Sequence, residues 1–455
     1  MDINLHNKRV LVIGAGISGF AAAKIARKFG AEVTLSDAQA KEKIKFDFTP
    51  LERAGINLVF GPQTPELLEN VDLVIVSPAV PWRVPIIKAA SERKIPVMGE
   101  IELAYGLAKA PVCAVTGTNG KTTTVTLLGL LLKAHYHQVG VGGNIGVPLS
   151  EEALKIPADG YLAAEISSYQ LEGAKNFKPH VSAILNLTPD HLKRHGDMDG
   201  YQAMKERIFA RETADDFVVL NYDDERVRSM AERAPAQVFF FSRREKLTEG
   251  ACLDGDHLVI RRRGDSHELC SVAELGIKGA HNVENALAAA AVAFLAGVKP
   301  QEMTPVLKSF RGVEHRIEFT REINGVPYYN DSKATNTDSA IKALETFPAH
   351  IILLAGGDDK GTDLTDFMDL VRERADELIL IGDAAERFNA AALESGYPAE
   401  HIHRAGYDMD KAIKTAHSLA KPPQVVLLSP ACASFDMYDN FEERGKDFKR
   451  KVNDL

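Results

Sequence analysis

The sequence predicts a three-domain α/β protein, on the strength of three observations. Its 455 residues exceed what one ordinary core holds, because domains average about 150 residues. Short apolar runs typical of strands alternate with helical patterns along most of the chain. Two of those strands lead directly into glycine-rich turns that open a helix, at Gly14–Gly19 and Gly117–Thr123. We therefore expect mostly parallel sheets covered by helices, in domains over residues 1–98, 99–312 and 313–455.

The composition excludes several classes of protein. With 45% hydrophobic and 26% charged residues, the chain is neither disordered nor fibrous. A net charge of −9 without a long basic run argues against nucleic acid as a partner. The four cysteines lie far apart and form no CxxC pair, which argues against a disulfide framework and fits the cytoplasm. The apolar run at 286–298 has 13 residues, short of the roughly 18 that span a bilayer, so no membrane segment is expected.

The N-terminal block carries the fingerprint of a nucleotide-binding α/β fold. A strand at 9–13, the turn GAGISG, a helix ending at Gly30, a strand at 32–35 and the acid Asp37 follow one another. The glycines permit a tight turn, and the helix N-terminus favours phosphate. This order predicts a Rossmann-like domain that binds a diphosphate-containing nucleotide, although the glycines could also serve only the close packing of strand and helix. Further strands are expected at 57–60, 73–77 and 97–98.

The central block contains the clearest chemical motif, AVTGTNGKTTTV at 114–125. A strand at 112–115 feeds a glycine turn and then a helix, which is the context of the phosphate-binding loop in P-loop ATPases. Lys121 would supply charge and the Thr122 hydroxyl could bind Mg²⁺, unless Lys121 merely caps an ordinary turn. The candidate ATP-binding residues are Gly117, Thr118, Asn119, Gly120, Lys121, Thr122 and Thr123.

Carboxylate and imidazole groups follow the next two strands of this block. Glu165 ends the strand expected at 160–166, where it could hold Mg²⁺ or simply lie solvated at the sheet edge. His191 follows the strand expected at 181–185, near the predicted phosphate site. His195 completes an HxxxH spacing, but no helical pattern surrounds the pair. We therefore expect no zinc, and we place His195 on the surface.

The rest of the chain continues the alternation. The span 217–260 is rich in strands, and a helix is expected at 282–296. The third block shows strands at 326–329, 351–355, 377–381 and 425–428, with helical patterns between them. It therefore predicts a second Rossmann-like domain at the C-terminus.

Nine segments spread over the whole chain occur together and in order: TGTNGKTT (116–123), GGNIGVP (142–148), EISSYQLE (165–172), LNLTPDHL (185–192), YQAMKERIF (201–209), HNVENALAA (281–289), EHRIE (314–318), NDSKATN (330–336) and SPACASFDMYDNFEERG (429–445). With these segments the chain resembles the Mur ligases of peptidoglycan synthesis. NDSKATN and the segment at 429–445 are the most specific, whereas GTNGKT is shared with folylpolyglutamate synthetases.

The resemblance implies an ATP-dependent ligase that acts as a monomer in the cytoplasm. ATP would phosphorylate the carboxylate of UDP-N-acetylmuramoyl-L-alanine, and the amine of D-glutamate would attack the acyl phosphate, releasing ADP and phosphate. Bringing a carboxylate to a phosphate costs about 4 kcal/mol per unit charge pair at roughly 4 Å and an effective dielectric of about 20. Lys121 and a Mg²⁺ ion held by Thr122 and Glu165 would offset that repulsion.

The resemblance also implies roles for residues that pattern alone would not select. A second Mg²⁺ would lie near His191 and Lys205, with Lys205 carried as a carbamate, although the stretch KERIFARE makes it look like a helix-surface lysine. Ser434 could instead be a helix N-cap, and Phe441 a core residue. The implied ligands are Asn144 near the reacting phosphate, Asn285, Arg316 and Asp331 for ATP, Lys333, Thr335, Lys360, Ser434 and Phe441 around D-glutamate, and Ile17, Ser18 and Asp37 near the uracil.

Three alternative functions remain open from the sequence. A sibling Mur ligase or a folylpolyglutamate synthetase-like enzyme would add another amino acid or use another acceptor. A nucleotide-gated regulatory protein could use the phosphate loop as a switch. An NAD oxidoreductase could use the first domain. Phosphate release that requires both D-glutamate and the UDP-muramoyl substrate would separate the predicted ligase from all three.

Overall fold

The computed structural model describes residues 3–44, 46–190, 192–359 and 361–455. The chain forms two compact units. The first comprises Met1–Gly276 and His281–Phe310, and the second comprises Ile277–Ala280 and Arg311–Leu455. Within the described residues, the first unit contains two sheets and the second contains one. His191 and Lys360 lie outside the described residues.

The first sheet is parallel throughout and has the strand order β3-β2-β1-β4-β5. Its strand β4 is buried along its whole length, as expected of a parallel strand that is covered on both faces. The strands are β1 (Arg9–Ile13), β2 (Glu32–Asp37), β3 (Asn57–Phe60), β4 (Leu73–Val76) and β5 (Val97–Gly99), and the helices are α1 (Ile17–Lys28), α2 (Thr49–Arg53), α3 (Pro85–Glu92) and α4 (Glu100–Leu107).

The second sheet has nine strands in the described chain, in the order β14-β13-β12-β11-β10-β9-β6-β8-β7. It is parallel from β7 to β12 and antiparallel at its β12-β13-β14 edge. The strands are β6 (Val112–Thr116), β7 (Val139–Gly143), β8 (Tyr161–Glu165), β9 (Val181–Ile184), β10 (Phe217–Asn221), β11 (Gln237–Ser242), β12 (Gly250–Asp254), β13 (His257–Arg262) and β14 (Asp265–Ser271). The helices are α5 (Lys121–Lys133), α6 (Leu149–Ala153), α7 (Ser168–Leu171), α8 (Leu192–His195), α9 (Met198–Glu206), α10 (Glu225–Ser229), α11 (Ala280–Leu295) and α12 (Pro300–Ser309).

The third sheet has the order β15-β16-β20-β17-β18-β19 and is parallel except for the β15-β16 edge. The strands are β15 (Glu318–Ile323), β16 (Val326–Asn330), β17 (Ile351–Gly356), β18 (Ala375–Ile381), β19 (Ile402–Gly406) and β20 (Val425–Leu428). The helices are α13 (Thr337–Glu345), α14 (Thr365–Arg374), α15 (Ala385–Glu394), α16 (Met409–Leu419) and α17 (Phe441–Asn453).

The expected strands are present, and three of them have the predicted bounds: β1, β3 and β20. The helix expected at 282–296 begins two residues earlier and ends one earlier, as α11. In the described part of the chain, no helix is both long and apolar enough to cross a membrane.

A buried acid, Glu212, makes the stability of this fold depend on pH. Glu212 follows α9 and precedes β10 in the chain, only 3% of the residue is exposed, and neither carboxylate oxygen has a hydrogen-bond partner among the described residues. Burial raises the pKa of Glu212 from its ordinary 4.5 to about 9. Folding therefore takes up a proton between these pH values, so the free energy of unfolding falls as pH rises through this window.

Glu212→Gln is expected to raise the free energy of unfolding at pH 7 by about 3 kcal/mol, because one pKa unit corresponds to about 1.4 kcal/mol. The difference from the wild type should vanish near pH 4.5 and stop growing above about pH 9. Urea unfolding at several pH values measures it, with the exposed Glu245→Gln as the control. A difference that does not change with pH would contradict the prediction.

Candidate functional site

The phosphate-binding loop (Gly117–Thr123) comprises the turn after β6 and the first three residues of α5, at the carboxyl edge of the central sheet. Gly117 and Gly120 have φ angles of +149° and +83°, which favour glycine. A Cβ atom at Gly117 would lie 2.9 Å from the Cβ of Leu185, and one at Gly120 would collide with the side-chain amide of Asn285. The first turn of α5 has no intrahelical acceptors for its amide groups, which makes it suited to phosphate oxygens.

Asn186 fixes the conformation of this loop. Its Oδ1 accepts hydrogen bonds from the backbone amides of Thr118 and Asn119 at 3.1 and 2.8 Å, and its Nδ2 donates to the Asn119 carbonyl at 3.1 Å. The Thr118 hydroxyl donates to the carbonyl of Thr188 at 3.2 Å. The segment after β9 therefore supports the loop. Sequence reasoning missed Asn186, although it lies inside the LNLTPDHL segment.

Asn186→Ala is expected to raise the KM for ATP at least about tenfold, because three hydrogen bonds to the loop are lost at roughly 1 kcal/mol each. The kcat at saturating ATP should change less, since the loop can still be ordered by bound nucleotide. Steady-state kinetics measure both constants, and Asn57→Ala, at an exposed asparagine of β3, is the control. An unchanged KM for ATP would show that Asn186 does not shape the loop.

Two lysines converge on the phosphate-binding loop. Lys121 Nζ donates to the carbonyls of Gly117 and Thr118 at 2.9 and 2.8 Å, and Lys205 Nζ donates to the Gly117 carbonyl at 2.8 Å. Lys205 lies on α9 with 1% of its surface exposed, and its Nζ is 4.6 Å from the centre of the Tyr201 ring. The interpretation of Lys205 as a helix-surface lysine is therefore wrong. Burial, assisted by the charge of Lys121, holds the pKa of Lys205 well below its usual value.

Glu165 lies beside the loop, at the end of β8, which pairs with β6. It is 2% exposed, so it does not lie solvated at the sheet edge. Its Oε1 accepts a hydrogen bond from Asn144 Nδ2 at 2.8 Å, whereas the buried Oε2 has no partner among the described residues. A buried carboxylate oxygen without a donor is a suitable ligand for Mg²⁺. Thr122 lies in the first turn of α5, which follows the neighbouring strand β6, and the residue is 8% exposed.

His195 differs from both sequence expectations. It ends a short helix, α8, where no helical pattern had been expected. It is also half-buried rather than on the surface: its Nε2 lies 3.0 Å from Ser168 Oγ, and its ring stacks on Tyr201 at 5.5 Å. His191 lies outside the described residues. Among those described, three His, Cys, Asp or Glu side chains lie closely enough together to hold a metal ion at Glu314, His315 and Glu318, and Lys449 already forms ion pairs with both glutamates.

Asn285 lies against the loop from α11. Its Oδ1 accepts from the Thr124 hydroxyl at 3.3 Å, and its Nδ2 lies 3.1 Å from Asn282 Oδ1. The side chain thus packs under the turn at Gly120, in the wall of the predicted nucleotide site.

The glycine turn of the N-terminal sheet leads directly into α1. Asp37 accepts hydrogen bonds from the backbone amides of Ala15 and Gln39 at 2.8 and 2.9 Å, so it stabilises this turn. Ile17 is 59% exposed and Ser18 is half-buried. A Cβ atom at Gly14 would lie 2.8 Å from side-chain atoms of Ser77 and Val80, which places the loop after β4 directly against the turn.

In the second unit, Arg444 holds together two loops that carry predicted D-glutamate ligands. The arginine is 1% exposed and donates to Ser332 Oγ and to three carbonyls, those of Ser332, Cys432 and Ala433, at 2.9–3.0 Å. Lys333 and Thr335 follow Ser332, and Ser434 follows Ala433. Sequence reasoning missed Arg444, although it lies in the NFEERG part of a quoted segment.

The predicted ligands of this unit differ in exposure. Ser434 is buried, and the N-cap of α17 is Asn440, so Ser434 does not cap that helix. Phe441 is half-buried in the first turn of α17, and Lys333 Nζ lies 5.7 Å from its ring centre. Thr335 is half-buried as well.

Asp331 and Arg316 lie close together in the same unit. Asp331 is 3% exposed and accepts from Ser429 Oγ at 2.7 Å and from the Ile317 amide at 3.2 Å. Burial raises the pKa of Asp331 to about 7, and the charge of the half-buried Arg316 opposes that shift.

Comparison with known proteins places this geometry in a family. Residues 8–99 match the "Mur ligase MurD-like, N-terminal domain", residues 115–293 the "Mur ligase middle domain" and residues 315–432 the "Mur ligase, glutamate ligase domain". The chain belongs to the Mur ligase family. Mur ligases form amide bonds at the expense of ATP and use Mg²⁺, so the prediction of an ATP-dependent ligase of three α/β domains is confirmed.

Relatives and solved structures agree with this assignment to the Mur ligases. The UDP-N-acetylmuramoylalanine–D-glutamate ligase of a Thermoanaerobacter species is 44% identical over 453 residues and covers 100% of both chains. The ligase of the same name from Pelotomaculum thermopropionicum is 46% identical over 448 residues, covering 98% of each. The UDP-N-acetylmuramate–alanine ligase of Thermotoga maritima shares the fold, with a TM-score of 0.59 at 20% identity over 99% of this chain and 100% of that one.

Proposed function

We propose that this Mur ligase joins D-glutamate to UDP-N-acetylmuramoyl-L-alanine, with cleavage of ATP to ADP and phosphate. Relatives of that name at 40–46% identity over nearly the whole chain support this choice over a sibling ligase. The observation that carries the proposal is the arrangement around the phosphate-binding loop. Lys121 and Lys205 meet at the Gly117 carbonyl, and Glu165, one oxygen of which has no hydrogen-bond partner in the described part of the chain, ends the strand next to the loop.

The first step brings together two anions. A carboxylate oxygen of the UDP-linked substrate attacks the γ-phosphorus of ATP, the bond to the β-phosphate oxygen breaks, and an acyl phosphate and ADP result. Lys121, held by two loop carbonyls, would place its charge where the two anions meet. The amine of D-glutamate then attacks the acyl carbon, and phosphate and a proton leave as the amide bond forms.

Two Mg²⁺ sites are part of the proposal. Thr122 and Glu165 would hold one ion, and His191 and Lys205 the other. Mg²⁺ supplies charge neutralisation for the phosphate oxygens when it is bound. The buried Oε2 of Glu165, which receives no hydrogen bond from any residue that the structure describes, fits such a role, because a buried carboxylate oxygen without a donor is unfavourable unless a cation compensates.

Lys205 would serve the second site as a carbamate. A neutral Nζ attacks the carbon of CO₂ and releases one proton to solvent, so the neutral amine becomes an anionic carbamate that can bind a metal. Its burial and its lowered pKa favour the neutral amine that this reaction requires. The burial of Lys205 beside the phosphate-binding loop therefore supports the modification.

The remaining predicted ligands are assigned by domain, with boundaries at 98/99 and 312/313. The first domain would hold the uridine end through Ile17, Ser18 and the turn that Asp37 stabilises. Asn144, already bonded to Glu165, would lie near the reacting phosphate. Asn285, Arg316 and Asp331 would contact ATP, and Lys333, Thr335, Lys360, Ser434 and Phe441 would surround D-glutamate. We propose that the enzyme acts as a monomer.

An assay of phosphate release across candidate substrates tests the proposed function. Release from ATP should require both UDP-N-acetylmuramoyl-L-alanine and D-glutamate, and L-glutamate, L-alanine and diaminopimelate should not replace the D-amino acid. Release with another amino acid or with a folate acceptor would assign the enzyme to a sibling activity. Release at the same rate without any acceptor would instead indicate a nucleotide switch.

A further inference from the structure

A half-buried arginine, Arg194, connects the segment that follows β9 to the loop that follows β4. It lies on α8, and only 12% of its side chain is exposed, as is 12% of the side chain of its partner Glu172. Nε and Nη2 donate to the two carboxylate oxygens of Glu172 at 2.7 and 2.9 Å, and the guanidinium lies 4.4 Å from the Tyr169 ring centre. This planar, two-point pairing is one that lysine cannot reproduce.

The same guanidinium reaches three consecutive carbonyls of the loop after β4. Nη2 donates to Val80 at 3.1 Å and to Pro78 at 3.4 Å, and Nη1 donates to Ala79 at 3.4 Å. Because Glu172 neutralises Arg194, the pair brings no net charge to the loop after β4. The contacts with the loop carbonyls act by fixing the position of the loop backbone. A single side chain therefore orients the backbone of residues 78–80.

The loop that Arg194 holds is the one that packs against the glycine turn. A Cβ at Gly14 would lie 2.8 Å from Ser77 Cβ and Val80 Cγ2, and the Ser77 amide donates to the carbonyl of Ile13 at 2.9 Å. Any shift of residues 77–80 would therefore change the shape of the turn that is expected to face a nucleotide diphosphate. The loop forms one wall of that site.

Arg194 lies in the same stretch of chain as Asn186, the residue that supports the phosphate-binding loop. Asn186, which binds the amides of Thr118 and Asn119, precedes Arg194 by eight residues in the chain. One stretch, residues 185–195, thus contacts the ATP loop at its start and the N-terminal nucleotide loop at its end. Under the proposed function, the carboxylate of the substrate whose uridine end lies at the first loop has to reach the ATP bound at the second.

We propose that Arg194 is a positioning residue for the nucleotide-linked substrate, acting through the carbonyls of residues 78–80. It fixes the loop of the N-terminal nucleotide site relative to the segment that supports the phosphate-binding loop. This inference rests on the proposed function, because it assumes that the glycine turn binds the uridine diphosphate end of the substrate. Loss of Arg194 should weaken binding of that substrate and leave ATP binding intact.

The chain's single tryptophan, Trp82, offers a direct probe, because it follows Val80 by two residues. Binding of UDP and of UDP-N-acetylmuramoyl-L-alanine is titrated by Trp82 fluorescence, and binding of ATP by calorimetry.

Arg194→Met is expected to raise the Kd for both uridine nucleotides at least about tenfold and to change the Kd for ATP less than about twofold. Arg194→Lys, which keeps the charge and lacks the fork, should fall between wild type and Arg194→Met. Arg226→Met, which removes an exposed ion pair between Arg226 on α10 and Asp199 on α9, should behave as wild type.

Hydrogen exchange gives a readout that does not depend on activity. In Arg194→Met and Arg194→Lys, amides of residues 78–84 should exchange faster, while those of residues 117–123 keep their wild-type rates. Equal loosening of both loops, equal loss of ATP and uridine nucleotide binding, or no change in either would overturn the proposal. If Arg194→Met does not fold, Arg194→Lys decides by the same criteria.

The two proposals can fail separately. If the wild type binds UDP but releases no phosphate with D-glutamate, the proposed reaction is wrong, and the Arg194 variants still test positioning of the nucleotide loop. If the wild type binds neither UDP nor the UDP-linked substrate, the positioning role is wrong. In kinetics, a positioning role predicts that the KM for the UDP-linked substrate rises more than kcat falls.

Discussion

Lys121→Ala is expected to lower kcat by about three orders of magnitude, the loss that follows removal of a well-placed charge from a transition state. Lys121 Nζ is held by the carbonyls of Gly117 and Thr118, so its charge has a fixed position over the phosphate-binding loop. Without it, the repulsion between carboxylate and γ-phosphate is uncompensated as they approach. Steady-state phosphate release at saturating substrates measures the effect.

A matched control for this experiment lies on the same helix. Lys133→Ala removes an exposed lysine from the last turn of α5 and should leave kcat within about twofold of the wild type. Lys121→Arg keeps the positive charge and replaces the compact ammonium group with a planar guanidinium, so it should retain more activity than Lys121→Ala. A wild-type kcat in Lys121→Ala would refute the role of this lysine in compensating charge.

The strands and helices of the fold were largely predictable from sequence, because they depend on local patterns. Strands β1, β3 and β20 have the expected bounds. Short apolar runs that are flanked by glycine, proline or polar residues are too short for most helices and usually form strands. The helix that begins at Lys121 and the position of Glu165 at the end of its strand also follow from local order along the chain, whereas the burial of Glu165 does not.

What sequence reasoning missed depends on contacts between distant residues. Asn186 supports a loop 67 residues away, and Arg444 binds carbonyls 11 to 112 residues away. Nothing in their immediate sequence distinguishes these side chains from surface polar residues. Lys205 is the clearest case, because its local sequence is charged and yet the residue is buried under the phosphate-binding loop.

Asp37 shows a different limit of reasoning from motifs. An acid after the second strand of a GxGxxG unit is expected to face a nucleotide. Both of its oxygens accept backbone amides, from Ala15 and Gln39, so its first effect is to hold the glycine turn in shape. A substitution at Asp37 would therefore change the turn as well as any direct contact to the uridine end.

Lys205→Ala is expected to lower kcat at least about a hundredfold, because loss of a metal-binding group typically costs that much or more. If Lys205 acts as a carbamate, wild-type activity should also fall in buffer freed of CO₂ and return when bicarbonate is added. Enzyme equilibrated with ¹³C-bicarbonate should give a carbamate signal in ¹³C NMR, and Lys205→Gln should lack it.

The competing explanation for Lys205 is a permanently cationic side chain that assists Lys121, and it predicts the opposite pattern. Under that explanation CO₂ has no effect on activity, and Lys205→Glu is worse than Lys205→Ala, because it adds negative charge beside the phosphates. Under the carbamate explanation Lys205→Glu keeps an anion near the metal and should exceed Lys205→Ala. Burial favours the carbamate: two ammonium groups that share the Gly117 carbonyl repel each other in a poorly solvated place, and converting one of them to an anion removes that repulsion.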